Sequence, residues 1–550
     1  MRFFSLKKDP WVLLRALQLI YRCDRRSFVL KVIYTALLSI LPLVNLVVLK
    51  YLIDGITSYA LHQSDTSLVY YVGLFCGIFL FTRLITTLDG VNTDILTQKL
   101  VDYINNLIQE QSVRLDMAYY DNPEYHDTFH RAQQEAAFRP VRILDNFVST
   151  LGAFISLCGV VAMLVVASWK VIVVMVVAVL PAFVVKLYKS RKIYAFRRDT
   201  TQQMRRSHYI GQLLSNRTYA QEVRSFGLQS HLRDRYLALR RDLVGSLFRI
   251  SRRLAVFDAL TAVIETASIF FIILILVRPA LTGAITIGSF VVLFEAFRRS
   301  QGFMSSLVGG ISGLFEHKLF IGNLYEFLRL EPTIVSPQQP VPFPSRVEKV
   351  EFSDVTFSYP DMKTPTLSHF NFRATLGEIS HLEGENGFGK STALKLLLRL
   401  YDPQQGAILI NGTDIRRFDL QQLRRGVGAI FQDHVRFYFT AKENVEFGDL
   451  SHRDDAARME EALAMSEAKP VVDRLSKGID TPLGRMFDHG EELSMGQWQR
   501  LALARQLYSN APVLVFDEPT AWMDAHARQQ FMQHLEELKT DHLIILISHI

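Results

Sequence analysis

A chain of 550 residues is too long for one hydrophobic core, so at least two folded units are expected. Hydrophobic residues make up 49% of it against 21% charged, with 38 phenylalanines, a balance too apolar for a purely soluble enzyme and ordinary for a chain partly embedded in a bilayer. The net charge of +7 does not describe a nucleic-acid patch, because Arg22, Arg25, Arg26, Arg197, Arg198, Arg205, Arg206, Arg252 and Arg253 crowd the segments before and between apolar runs, where positive charge marks cytoplasmic loops.

In chain order, residues 1–27 read as an N-terminal cytoplasmic or interfacial segment. Within it Trp11, Leu14, Leu17 and Ile20 share one face of a helix over 10–21, which suits the membrane interface or a plain surface. The next apolar run is long enough to span, so this N-terminus does not read as a cleaved signal peptide. Apolar stretches lie at 28–53, 68–88, 146–168, 170–189, 255–277 and 288–309, each about the 20 residues that a crossing needs. They define a six-helix transmembrane domain over 28–330. The connections after the first, third and fifth spans are short and nearly uncharged, whereas those after the second and fourth are long and basic. A multi-pass protein of the cell membrane with both termini in the cytoplasm is therefore expected. Cys23, Cys76 and Cys158 are far apart and support neither a disulfide framework nor a zinc site.

In the first long connection, LDMAYYDNPEYHDTFHRA, Asp121, Asn122 and Pro123 signal a helix start; the second turns near AQEVRSFGLQ, around 224–227. Inside the spans stand Arg83, Glu265, Glu295, Arg298 and Arg299, and a charge in the bilayer is a functional expectation by default. Glu295 and Arg299, four apart, either pair on one helix face or mark a helix end. Glu265, mid-span with no partner in sequence, is the stronger expectation for a cavity residue. Pro332, Pro337, Pro340, Pro342 and Pro344 make 331–347 a linker. Beyond it VEFSDVTFSY alternates in strand fashion and later segments mix strands with helices, so 348–550 reads as an α/β domain.

Three motifs in that domain carry chemistry. GENGFGKST, residues 384–392, stands between a short strand, EISHL, and a helix, STALKLLLRL, and satisfies the phosphate-loop pattern. Gly384, Gly387 and Gly389 let the backbone of Glu385, Asn386 and Phe388 bend around phosphate, Lys390 reaches the β and γ phosphates, and Ser391, followed by Thr392, offers a hydroxyl to magnesium. VLVFDEPT, residues 513–520, is an apolar strand delivering Asp517 to that cation, with Glu518 placed to orient and activate the attacking water. LSMGQWQRLALARQL, residues 493–507, begins a helix at Ser494, whose following amides, through Gly496 and Gln497, make an anion site.

These motifs, at 384–392, 493–507 and 513–520 behind six spans with long second and fourth cytoplasmic turns, resemble the ABC transporter superfamily, and within it the exporter-type half-transporters. The resemblance implies a multidomain chain: an all-α six-helix transmembrane domain followed by an α/β P-loop NTPase, the ABC ATPase domain, with ATP and Mg2+ as cofactors. It further implies that Tyr359 stacks on adenine, that Gln432 senses magnesium and water, that Asp524 crosses a dimer interface and that His549 contacts the γ phosphate. Glu518, His549 and Gln432 are the catalytic expectations, and Ser391, Gln432 and Asp517 the metal-binding ones. Because the family's signature sequence faces the phosphate loop of another domain, the partner is a second copy of the chain or a related half-transporter, and the two cytoplasmic turns carry coupling helices.

The sequence departs from the family pattern in four places, one of them Phe388, which stands where a small residue is common at a position that mainly lends its backbone. Met495 replaces the first signature glycine, and Ser380, His381 and Glu383 make the strand before the phosphate loop polar, so its burial is expected to be incomplete. Family members continue beyond His549 with another strand and helix, so the domain is expected to be truncated or to close differently. GEELSMGQWQRLALAR and DNPEYHD look most like bacterial exporters of lantibiotics and other modified peptides, implying an inner-membrane protein that moves a peptide or amphiphile outward by alternating access. Lipid flipping or multidrug export is the alternative, lipid is a partner and nucleic acid is not.

Overall fold

The computed structural model describes residues 12–60, 68–121, 139–167, 169–360, 362, 364–385, 389–520, 523 and 525–548. The chain forms two compact units, Met1–Ser112 with Phe129–Arg329, and Val113–Thr128 with Leu330–Ile550.

The helices up to residue 328 are α1 (Val12–Cys23), α2 (Arg25–Ala60), α3 (Leu68–Arg114), the short α4 (Met117–Tyr120), α5 (Arg139–Ala167), α6 (Trp169–Asp199), α7 (Thr201–Ser215), α8 (Arg217–Ser225), α9 (Gln229–Leu281) and α10 (Ile287–Leu328). By length and composition α2, α3, α5 and α9 suffice to cross a membrane. With α6 and α10 they make the six long helices among the described residues. At 1.5 Å per residue α3 and α9 are about 70 and 80 Å long, far more than the roughly 30 Å of a hydrocarbon core. The long basic connections are therefore largely continuations of the spanning helices.

The burial pattern of α2 is that of a helix in lipid. Its buried stripe begins Ser27, Lys31, Thr35, Ser39, while Val29, Ile33, Ile40, Val44 and Val47 face outward. Polar groups turn inward because their alternative is hydrocarbon. Small residues then let neighbours approach: a Cβ on Gly152 of α5 would lie 3.0 Å from Ser39 Oγ, and one on Gly159 only 2.2 Å from Leu43 Cδ1. Ser156, between them, donates to the Ser39 carbonyl at 3.1 Å. Lys31 is satisfied by Asp89, at 2.8 and 2.9 Å, and by Thr93 at 2.7 Å. In α10 the carboxylate of Glu295 is held mainly by Arg298, at 2.9 and 3.0 Å, while Arg299 stands 3.9 Å away. The expected pair thus forms one residue earlier in sequence than Arg299.

The second unit contains two sheets. Strands β1 (Lys349–Phe357), β2 (Leu367–Thr375), β4 (Gln405–Ile410) and β5 (Thr413–Asp414) form an antiparallel sheet in the order β2-β1-β4-β5. Strands β3 (Ile379–Glu383), β6 (Val427–Ile430), β7 (Val513–Asp517) and β8 (Leu543–Ser548) form a parallel sheet in the order β3-β8-β7-β6. All five residues of β7 are buried, as expected of a strand covered on both faces. At the end of that order β3 alternates, burying Ser380 and Leu382 and exposing His381 and Glu383, which accounts for its polar composition.

The proline-rich segment is tied down along this unit. Val341 donates to the Arg417 carbonyl at 2.9 Å, the Phe343 amide to Gln422 at 3.1 Å, and the Phe343 ring lies 5.4 Å from that of Phe418. Residues from the first long connection join the same unit. Buried Asp116 accepts from the Thr333 amide at 2.6 Å and hydroxyl at 2.7 Å, Tyr119 donates to the Glu331 carbonyl at 3.0 Å, and Tyr401 donates to Asp121. Asp121 caps the C-terminal end of α4, while Asn122 and Pro123, read with it as a helix start, lie outside the described residues.

Candidate nucleotide site

Parallel register decides where the site lies. Glu383 pairs with Ser548, Asp517 with Ile547 and Ile430 with Phe516, so the carboxyl ends of β3, β8, β7 and β6 reach the same edge. The segments that follow them are the phosphate loop, the stretch leading to His549, the Asp517–Glu518 pair and Gln432. The crevice beyond the carboxyl ends of parallel strands is where such sheets bind ligands.

Gly384 and Glu385 leave β3; Asn386, Gly387 and Phe388 lie outside the described residues, as do Asp524 and His549. Gly389 then caps α11 (Lys390–Leu397) at φ 86°, a left-handed conformation that favours glycine. Space reinforces that need, since a Cβ there would meet Leu367 Cδ2 at 2.6 Å and the Thr366 carbonyl at 3.0 Å. Lys390 is buried, with its ammonium turned back onto the Gly384 carbonyl and 3.5 Å from that of Glu385. The Ser391 hydroxyl donates to Asp517 Oδ2 at 2.9 Å, joining the phosphate loop to β7 through an oxygen pair suited to a small hard cation. Thr392 is buried and shares a 3.0 Å hydrogen bond with the Tyr359 hydroxyl. The Tyr359 ring meets Phe357 and Tyr401 edge-on, with the Lys395 ammonium 5.2 Å from its centroid.

Glu518 adopts φ 51°, which costs an ordinary side chain about 1–2 kcal/mol. Three contacts hold it there: its amide donates to the Ile547 carbonyl at 3.0 Å, Gln499 donates to its carbonyl at 3.1 Å, and Gln432 donates to Oε2 at 3.0 Å. Strain of this kind concentrates where a side chain must be aimed. Gln432 and Glu518 line a cavity of about 310 Å³ together with His434, Arg436, Met495 and Gln499.

The signature segment forms helix α12 (Met495–Tyr508), with Ser494 as its N-cap. Ser494 and Gln497 satisfy each other in a capping box, Gln497 Oε1 accepting from the Ser494 amide at 2.7 Å. Gly496 sits in the first turn. Met495 is 40% exposed, and Arg436 donates to its sulfur at 3.0 Å, so the residue replacing the glycine stands at the surface.

Several supporting residues escaped the sequence reading. Gln499 and Gln506 are buried on α12, Gln506 reaching the carbonyls of Gly428 and Val515 at 3.1 and 2.9 Å. Arg505 is bound by Asn444 through two 2.8 Å contacts and lies 4.6 Å from the Phe437 ring; burial pushes its guanidinium down to about 10. His434 is lowered by burial, then by Arg505 and Arg436, and its Nε2 is buried without a partner. The signal for Gln499 and Gln506 was their seven-residue spacing on a helix whose apolar face includes Trp498 and Leu501.

Comparison with known proteins gives the family. The family described as ABC transporter matches residues 367–521, and the ABC transporter transmembrane region matches residues 27–301. The subtilin transport ATP-binding protein of Bacillus subtilis is 27% identical, covering 99% of this chain and 88% of that one. The nisin transport ATP-binding protein of Lactococcus lactis subsp. lactis is 22% identical, covering 100% and 90%. An ATP-dependent lipid A-core flippase of Xanthomonas axonopodis pv. citri is 30% identical over 60% of this chain and 55% of its own. A bacterial Atm1-family ABC exporter solved with ATP bound shares the fold, with TM-score 0.73 at 20% identity, covering 96% of this chain and 91% of that one. The chain belongs to the ABC transporter family: it is an exporter whose membrane-spanning and ATP-binding domains are fused in one polypeptide and whose ATPase drives transport.

Proposed function

We propose that this chain works as a dimer in a bacterial inner membrane, with its ATPase domain in the cytoplasm, and exports a peptide. The observation carrying the reading is the extent of likeness: two relatives that match essentially the whole chain are named for the peptides subtilin and nisin. The flippase match covers 60% of it.

The nucleotide-site residues fit Mg2+-ATP. The Ser391 hydroxyl and Asp517 carboxylate, already 2.9 Å apart, are hard oxygen donors on which Mg2+ would be held, with Gln432 beside them. Mg2+ would supply charge neutralisation at the β and γ phosphates. Lys390 would exchange its carbonyl partners for phosphate oxygens, a stronger pairing because both groups are charged. Tyr359 would support adenine, and the amides from Glu385 to Thr392 the phosphates. Glu518, aimed by its backbone conformation and by Gln432, would accept the proton of the attacking water, with His549, next in sequence after β8, orienting the γ phosphate. Ser494, Gly496 and Gln497 would close the site of a second copy or a related half-transporter, with Asp524 at that interface. Separation of the domains after hydrolysis would then move the spanning helices through α4, α8 and their flanking turns, which we read as coupling regions. We also read 1–27, 28–330, 331–347 and 348–550 as the functional divisions of the chain.

Inside-out proteoliposomes of the full chain test this with a labelled lanthionine peptide and, in parallel, a labelled phospholipid. ATP-dependent peptide uptake abolished by Glu518→Gln is expected. Lipid movement without peptide uptake refutes the peptide reading, and uptake unaffected by the substitution refutes the mechanism.

A further inference from the structure

Several charged groups in the membrane-spanning unit are already matched. Lys31 is paired with Asp89, Lys189 with Asp258 at 2.6 Å, and Glu295 with Arg298. Lys186 on α6 and Glu265 on α9 are different. Both are half-buried, they lie within electrostatic range of one another, and neither has an ion-pair partner among the described residues. Lys186 rests instead on neutral acceptors, the carbonyl of Ser305 on α10 at 2.8 Å and the hydroxyl of the same residue. Glu265 shares its helix face with Ser268, whose hydroxyl donates to the Glu265 carbonyl at 2.6 Å and lies 3.4 Å from Gln301 of α10. The surroundings are thus polar on two sides.

Depth places these groups at a common level. The start of α6, the end of α9 and the start of α10 lie on one side of the membrane by helix alternation, and Lys186, Glu265 and Ser305 are about 24–27 Å from those ends at 1.5 Å per residue. That is close to the far boundary of the hydrocarbon core. An amphipathic molecule approaching from that side would meet an ammonium and a carboxylate before reaching the apolar interior. An ammonium held by neutral oxygens gains on meeting a carboxylate, because a doubly charged hydrogen bond is about twice as strong.

We propose that Lys186 and Glu265 form an ionic recognition site for the exported peptide, Lys186 receiving a carboxylate and Glu265 an ammonium or guanidinium group. The assignment rests on the peptide reading given above. It does not extend to Lys189, whose charge is committed to Asp258.

The full chain in lipid nanodiscs tests it with one fluorescent amphipathic lysine-containing peptide, made with a free C-terminal carboxylate and as the C-terminal amide. The wild type should bind the carboxylate form roughly tenfold or more tightly than the amide, the range of a charge-assisted contact. Lys186→Met should remove that difference while leaving affinity for the amide unchanged, and Lys186→Arg should keep it. Replacing the peptide's lysines by norleucine should weaken binding to wild type and not to Glu265→Gln. A carboxylate preference that persists in Lys186→Met overturns the site while leaving the peptide reading intact, as does its equal loss in Lys186→Arg. If neither form binds wild type above protein-free nanodiscs, the peptide reading falls and the site with it.

Discussion

Substituting Gly389 separates what the phosphate loop needs from its backbone and what it needs from space. Its φ of 86° costs alanine about 1–2 kcal/mol. The added methyl would stand 2.6 Å from Leu367 Cδ2, a side-chain end that can give, and 3.0 Å from the Thr366 carbonyl. Thr366 is itself anchored, its amide donating to Phe357 at 2.8 Å, so relief has to come from the phosphate loop. Overpacking of this kind adds about 1–3 kcal/mol. If only about 2 kcal/mol of the total falls on the nucleotide-bound form, Gly389→Ala lowers ATP affinity roughly thirtyfold. Equilibrium binding of a fluorescent ATP analogue to the full chain measures this, with the thermal midpoint followed alongside. Gly389→Asn, which tolerates the left-handed region better but carries the same Cβ, should recover part of the loss. Affinity for Gly389→Ala within threefold of wild type would refute the reasoning.

Three other outcomes are expected. Glu518→Gln should cut the ATPase rate by at least about a hundredfold while ATP binding survives, read by phosphate release and nucleotide binding on the same preparation. Lys31→Met should lower stability by up to about 3 kcal/mol, because the partly buried Asp89 is left unpaired, whereas Lys31→Met with Asp89→Leu should recover most of it; equal loss in both would show that the pair itself stabilises. Burial and the neighbouring Arg505 and Arg436 lower His434, so its folded form resists protonation. Stability is then fully present above the ordinary value of 6.5 and falls as pH drops below it, and His434→Gln should flatten the thermal-midpoint profile between about pH 6.5 and 5.

Much of this protein is local in sequence. The six apolar runs, the phosphate loop from Gly384 to Thr392 and the strand ending at Asp517 are contiguous patterns, each interpretable from its own residues. Helix lengths were less legible: the apolar window at 68–88 marks the lipid-crossing part of a helix that runs to Arg114, because hydropathy registers solvent and not the end of hydrogen bonding. The polar strand at Ser380–Glu383 gained its explanation only from its place at the end of the β3-β8-β7-β6 order, with His381 and Glu383 exposed. Pairing of charges also needed the fold. Lys31 and Asp89 are 58 residues apart, and Glu265 could be singled out from sequence while Lys186, on another helix, could not.

By itself the sequence determined which segments are apolar enough to meet lipid, which carry the phosphate-loop pattern and which carboxylates end the apolar strand, since periodicity, glycine placement and motif spacing act over a few residues. Tertiary structure alone decided that four parallel strands bring Gln432, Glu518 and Ser391 to one edge, that Gln499 and the Ile547 carbonyl aim Glu518, and that Lys186 and Glu265 are left without ion-pair partners among the described residues. Those relations join residues tens to hundreds of positions apart, and only chain folding supplies the distances on which hydrogen bonds and charge pairs depend.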